Sequence, residues 1–161
     1  MVRGISVDKE SFPIAGTFTI SRGSKTEAEV VTCTISEGGH AGRGECVPYR
    51  RYGETLEGVV AAIEAMRGAV EGGIGRAELL DVMPAGAARN AIDCALWDLE
   101  AKASGVAVSE RLRLAPRALE TAYTLSLGTP ESMAAQARQN AARPLLKVKI
   151  GGGDGDIERI R

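Results

Sequence analysis

An α+β layer followed by one parallel βαβ unit, the opening of an α/β barrel, is the fold class that this 161-residue sequence predicts. Three patterns predict it. Period-2 runs rich in β-branched residues extend to about Val47, two stripes of 3.6-residue period lie between Thr55 and Gly105, and strand, helix and strand signals alternate from Thr121 onward. The first two make one sheet covered by helices, and the third makes two parallel strands with a right-handed crossover.

Within the first layer, Phe18-Thr19-Ile20-Ser21 is a short alternating run and Val30-Val31-Thr32-Cys33-Thr34-Ile35 a β-branched strand. Glu37-Gly38-Gly39-His40 reads as a turn, with a return strand near Gly44-Glu45-Cys46-Val47 that Pro48 ends. From Thr55, the residues Leu56, Val59, Val60, Ile63, Met66 and Val70 form one apolar helical stripe, closed by Gly72-Gly73. After a loop around Pro84, a stronger stripe of Ala88, Ala91, Ile92, Ala95, Leu96 and Leu99 runs to Gly105. A basic stretch, Arg111 to Arg117, separates this layer from the next strand, Thr121 to Leu127. Thr129 and Pro130 suit the N-cap and first position of a helix to about Ala142, stopped by Arg143-Pro144. Leu145-Leu146-Lys147-Val148-Lys149-Ile150 is then the second parallel strand, and Asp154 opens another helix.

That second strand is where folding logic looks strained. Alternation places Lys147 and Lys149 together on one face, and a strand after a helix in a parallel sheet is ordinarily buried on both faces. A buried lysine is costly without a partner or a task, whereas an exposed edge strand with two solvated lysines is the ordinary alternative. The C-terminal ends of barrel strands are where active sites sit. Too few residues follow position 118 for the ~250 that a complete barrel takes. The expectation is therefore domains at 1–118 and 119–161, the second incomplete, in the N-terminal portion of a longer protein.

Composition excludes more than it selects. The net charge of −1, with acids and bases interspersed, gives no reason to expect nucleic acid or an anionic membrane. The N-terminus, from Met1, shows no apolar signal region and no run approaches ~20 apolar residues, which predicts a cytoplasmic location. Cys33, Cys46 and Cys94 have neither disulfide nor CxxC spacing and read as small core residues.

The second helical stretch, Ala88 to Lys102, resembles a signature of the mandelate racemase and muconate-lactonizing branch of the enolase superfamily. Gly42-Arg43-Gly44-Glu45, Tyr52-Gly53-Glu54-Thr55 and Lys147-Val148-Lys149 follow that branch's order. Ile20-Ser21-Arg22-Gly23-Ser24, Thr121-Ala122-Tyr123-Thr124 and Leu145 to Lys149 look most like dipeptide epimerases of the L-Ala-D/L-Glu type. One departure is Ala107 to Arg113, which replaces the usual Pro-Leu/Val-x-x-Leu-Leu-Gly ending.

The resemblance implies a capping domain followed by a (β/α)7β barrel, and a Mg2+ ion held by carboxylates on later barrel strands, beyond Arg161. It implies epimerisation of a dipeptide by removal of the proton α to a carboxylate, through an enediolate. Lys149 is then the base and Lys147 its auxiliary, a second lysine being expected later on the opposite face of the substrate. An amine takes up a proton only when neutral, a form that desolvation and a neighbouring cation favour. Arg22 would bind the substrate's side-chain carboxylate through its bidentate fork, and Thr124 would contact substrate. An ordinary surface arginine and plain β-propensity are the alternatives for these two. Cycloisomerisation or o-succinylbenzoate synthesis is the competing reaction. The isolated chain would be inactive, and the full-length form could assemble with copies of itself.

Other features read as structural. Tyr49 and Tyr52 suggest packing, and His40 is a single histidine in a turn. Gly151-Gly152-Gly153-Asp154-Gly155-Asp156 lacks the last glycine of a dinucleotide loop. Asp93 and Asp98 point to different helix faces, which makes Asp98 a partner for Lys102 at i+4 and not half of a metal pair.

Overall fold

The computed structural model describes residues 2–151 and 153–161, so Gly152 of the glycine-rich segment and Met1 lie outside the described residues. Three strands, β1 (Gly4–Ile20), β2 (Gly23–Glu37) and β3 (His40–Cys46), form one sheet in that order. Only two residues, Ser21 and Arg22, join β1 to β2, a connection that antiparallel strands alone permit. Gly38 and Gly39 turn β2 into β3 with φ of 61° and 83°, the left-handed pair that matches the twist of a tight hairpin. Phe18 to Ile20 of the expected run thus end a 17-residue strand, and Ser21 lies in the turn.

After a 3-10 turn at Arg50–Tyr52, seven α-helices follow among the described residues: α1 (Leu56–Ala65), α2 (Arg67–Glu71), α3 (Arg76–Val82), α4 (Ala87–Ser104), α5 (Val108–Arg111), α6 (Pro130–Gln139) and α7 (Asp156–Ile160). The single stripe from Leu56 to Val70 is broken at Met66, whose N–H bonds Ile63 O at 3.0 Å and so tightens the turn. Arg67 fixes the break by gripping Glu64 and Glu71 while donating to Ile5 O at 2.7 Å. The short helix α3 was not expected, because it buries Leu79 alone and carries no stripe. Its start is marked by Glu78, which accepts the Gly75 N–H at 2.9 Å.

The chain divides into two compact units. One holds the N-terminal stretch up to Phe12 together with Glu29–Pro116; the other holds Pro13–Ala28 and Arg117–Arg161. In the first, register pairs Val31 with Cys46, Cys33 with Gly44 and Ile35 with Gly42, so these six residues share the sheet face that meets α4. A Cβ on Gly42 would overlap Ala95 O, and one on Gly44 would overlap Ala91 O. Strand and helix therefore touch backbone to backbone, with Ala88, Ala91, Ile92, Ala95, Leu96 and Leu99 as the buried face of α4.

At this distance the outer edge of β3 is within reach of side chains from α4. Asn90 Nδ2 donates to Glu45 O at 3.1 Å, Arg43 N donates to Asp98 Oδ2 at 2.8 Å, and Lys102 Nζ donates to Ala41 O at 2.9 Å. Three side chains of α4 thus satisfy the edge that a fourth strand would otherwise take. Asp98 pairs with Lys102 at 2.7 Å, as the spacing indicates. The N-terminus of α4 has glycine at its cap, and the missing acceptor comes from Glu54, which receives Ala87 N–H at 2.7 Å and Tyr49 N–H at 2.8 Å. Tyr49 and Tyr52 rest on each other, ring centroids 5.7 Å apart, with Tyr52 76% exposed. Elsewhere on α4, Arg76 lies 3.4 Å over the Trp97 ring and forks onto Glu100 at 3.0 Å.

Of the cysteines, Cys33 and Cys46 are buried in this core and Cys94 is exposed. Burial, reinforced by the neighbouring Cys46, pushes the Cys33 thiol up to about 12; burial likewise takes Cys46 to about 11.

Replacing Gly44 by alanine should cost at least ~3 kcal/mol, since neither the strand nor the helix backbone can yield. The same change at Gly53, with φ of 76° and open space around it, should cost about 1 kcal/mol. Urea denaturation of the two variants would show the contrast. Burial raises the Asp98 carboxyl, but its bonds to Lys102 and Arg43 N outweigh this and hold it below the usual range. Its contribution is therefore complete above the unfolded-state value of ~4 and is lost as pH falls through the lower folded value. Melting temperatures of the native chain and the D98N variant should differ at neutral pH and converge as the solution is acidified below about pH 4.

Candidate active site at the end of the parallel strands

The second unit contains a parallel pair, β4 (Tyr123–Leu125) and β5 (Leu146–Val148), joined through α6. Thr129 caps α6 by accepting Ser132 N–H at 3.3 Å, and Pro130 occupies its first turn. The helix ends at Gln139, before the expected Ala142. Register sets Tyr123 against Leu146, Thr124 against Lys147 and Leu125 against Val148.

Both strands are shorter than their sequence runs, and the reason lies just after Leu125. Ser126 N donates to Gln136 Oε1 at 3.3 Å, and its hydroxyl donates to Thr17 O at 3.3 Å. Leu127 N donates to Thr19 O at 3.1 Å. The backbone that would extend β4 opposite Lys149 is thus committed to α6 and to the distal part of the β1–β2 hairpin. Thr19 and Ser24 hydroxyls, 2.9 Å apart, close that hairpin across its strands.

These bonds place the expected site residues. Thr124 and Lys147 are register partners and stand side by side on one face of the pair. Lys149, predicted on the strand, lies one residue beyond it and is half-buried, while Lys147 is exposed. Arg22 is exposed in the two-residue turn of the hairpin whose Thr17 and Thr19 are bonded to the end of β4. Residues not singled out from sequence support the same end. Gln136 and Ser126 anchor β4, while Asp156 Oδ1 accepts Gly151 N–H at 2.9 Å and Arg159 Nη1 at 2.9 Å. The i,i+5 spacing of Gly151 and Asp156 and the i,i+10 spacing of Ser126 and Gln136 carry no periodic signal; the i,i+3 spacing of Asp156 and Arg159 is the one that a helix would show.

Two cationic amines and a hydroxyl thus gather at the C-terminal end of a parallel pair. The set can bind an anion and exchange a proton. It does not make a cation site: among the described residues no three His, Cys, Asp or Glu side chains converge, and Asp156 is already bonded to Gly151 and Arg159. No described helix is long and apolar enough to cross a membrane.

A sheet covered by helices, followed in the chain by a βαβ pair, is the element order of a capping layer and the opening of an α/β barrel. The chain belongs to the mandelate racemase/muconate lactonizing enzyme family, whose N-terminal domain matches residues 2–112. It is 43% identical over 152 residues to the L-Ala-D/L-Glu epimerase of Escherichia coli, covering 92% of this chain and 47% of that protein. Among solved structures, it is 56% identical, with a TM-score of 0.95, to an Agrobacterium tumefaciens enolase family member with homology to dipeptide epimerases, bound to sodium and L-Ala-L-Glu with an ordered loop. That match covers 99% of this chain and 49% of the other. A dipeptide epimerase from Methylococcus capsulatus, complexed with Mg and L-Arg-D-Lys, is 34% identical with a TM-score of 0.87, covering 100% and 49%. The chain spans about half the length of these relatives.

Removing the Ser126 hydroxyl should loosen the hairpin from β4. In the S126A variant, hydrogen exchange at the Leu127 amide should quicken about fivefold, the equivalent of one ordinary hydrogen bond of ~1 kcal/mol.

Proposed function

We propose that this chain supplies the capping layer and the first half of the catalytic site of a Mg2+-dependent dipeptide epimerase acting on L-Ala-D/L-Glu. The observation that carries the reading is the register of β4 and β5, which sets Thr124 beside Lys147 and Lys149 next beyond it, at the strand end to which the Arg22 hairpin is bonded. The names of the relatives from Escherichia coli and Agrobacterium tumefaciens support Ala-Glu as the dipeptide.

In this reading Lys149 takes the α-proton of the C-terminal residue. The C–H bond breaks, an N–H bond forms, and the electron pair passes into the adjacent carboxylate, giving the enediolate. Return of a proton to the opposite face inverts the centre, and the charge balance is restored when both amines revert. Lys147 donates a hydrogen bond and a positive charge toward the carboxylate, where negative charge develops. Thr124 contributes a hydroxyl beside it. Arg22 pairs with the side-chain carboxylate of Glu in two parallel bonds, a geometry that lysine would not reproduce. The cation that the family implies would rest on carboxylates other than the described ones.

The whole protein, incubated with L-Ala-L-Glu in D2O, should incorporate deuterium at the Glu α-carbon. Replacing Lys149 by alanine should slow exchange from one epimer by about 10²–10⁴-fold. Replacing Arg22 by alanine should raise KM for Ala-Glu by at least about tenfold, the loss of a charge-assisted pair, and leave Ala-Ala unaffected. Exchange with no dipeptide, alongside turnover of a muconate or succinylbenzoate-type anion, would replace this reading with the other reaction of the family. Measurable turnover by the 161-residue chain alone would refute the expectation that it is inactive.

A further inference from the structure

The backbone that carries Lys149 leaves the ladder at Val148 and enters Gly151-Gly152-Gly153, a composition that by itself gives the chain more freedom than any other. A base on such a segment would sample many positions, and an error of about 1 Å in a proton-transfer geometry can cost as much as 10²-fold in rate.

The segment is held from α7. Asp156 Oδ1 receives Gly151 N–H and Arg159 Nη1, each at 2.9 Å, and Arg159 Nε turns to donate to Gly128 O at 2.9 Å. One carboxylate and one guanidinium therefore join the backbone two residues past Lys149 to the backbone three residues past Leu125. With Asp156 19% and Arg159 23% exposed, the pair is more enclosed than Arg76–Glu100, at 28% and 35%, and is correspondingly less weakened by solvent. Gly128 in turn follows directly on Ser126 and Leu127, which hold the hairpin. The bonded path runs from Thr17 and Thr19, through the end of β4, across Arg159 and Asp156, to the end of β5.

We propose that Asp156 and Arg159 are positioning residues for Lys149: they fix the end of β5 against the end of β4 and so set where the lysine amine meets the substrate's α-carbon. The inference rests on the reading of Lys149 as the base. A positioning role has a one-sided signature. Proton transfer on the face that Lys149 serves depends on the pair, and transfer on the opposite face does not.

The test uses the whole protein with L-Ala-L-Glu and L-Ala-D-Glu supplied separately in D2O, and the K149A, R159A and D156N variants. R159A should slow exchange from the epimer that K149A silences by about tenfold or more, with the other epimer changed less than about twofold and KM within about twofold. D156N keeps an acceptor for Gly151 but loses the charge facing Arg159, and should show the same asymmetry at about three- to tenfold. R159K, which can reach one partner but not both, should recover part of the loss. Equal slowing of both epimers, or no slowing, would overturn the inference, and D156N decides it should R159A not fold. Exchange unaffected in K149A removes the base assignment and this inference with it. Asymmetry in K149A without asymmetry in R159A or D156N removes this inference alone.

Discussion

Everything in the larger unit depends on the backbone contact between β3 and α4. Because Gly42 and Gly44 present no side chains, the helix lies close enough for its own polar side chains to serve the strand's open edge. A wider spacing would leave Ala41 O, Arg43 N and Glu45 O to be satisfied by water or by another strand. The small residues Ala91 and Ala95 are the counterpart on the helix, and the larger Ile92, Leu96 and Leu99 fill the volume to either side. Glycines in β3 and the Asn90, Asp98 and Lys102 set in α4 are therefore one device, distributed over two elements.

The same economy recurs with carboxylates. Glu54 holds the start of α4 to the turn at Tyr49, Asp98 holds the middle of β3, and Asp156 holds the end of β5. In each case an acid accepts a backbone N–H from a segment outside its own element, which makes the bond tertiary in effect while satisfying a donor that would otherwise face water. For Asp98 the i+4 spacing already indicates a structural partner, Lys102; for Glu54 and Asp156 only the tertiary geometry shows it.

The layer order, both hairpin strands β2 and β3, the long helix α4 and the capped start of α6 were legible from periodicity and cap residues, since each depends on neighbours a few positions away. The ends of β4 and β5 were not, because Ser126 and Leu127 are diverted by Gln136, Thr17 and Thr19, contacts that no local pattern encodes. The break at Met66 escaped for the same reason: Arg67 is drawn to Ile5 on a strand more than sixty residues earlier. For the site, alternation put Lys147 and Lys149 on one strand; the ladder ends at Val148, so the register sets Lys147 alone beside Thr124, with Lys149 one residue beyond. Asp156 and Arg159 fall on the helix expected from Asp154, but their bonds to Gly151 and Gly128 reach outside that helix and carry no local signal.

The β1–β2 hairpin has residues in both compact units, and its distal bond from Ser126 to Thr17 spans 109 positions. During synthesis the hairpin emerges long before the Ser126 hydroxyl that donates this bond, and the intervening helices can pack while its tip waits. Loop-closure entropy grows only by about 0.6 kcal/mol per doubling of length, so the delay bears on rate and order more than on final stability. The segment bearing Arg22 is thus made well before Ser126, the residue that anchors its hairpin.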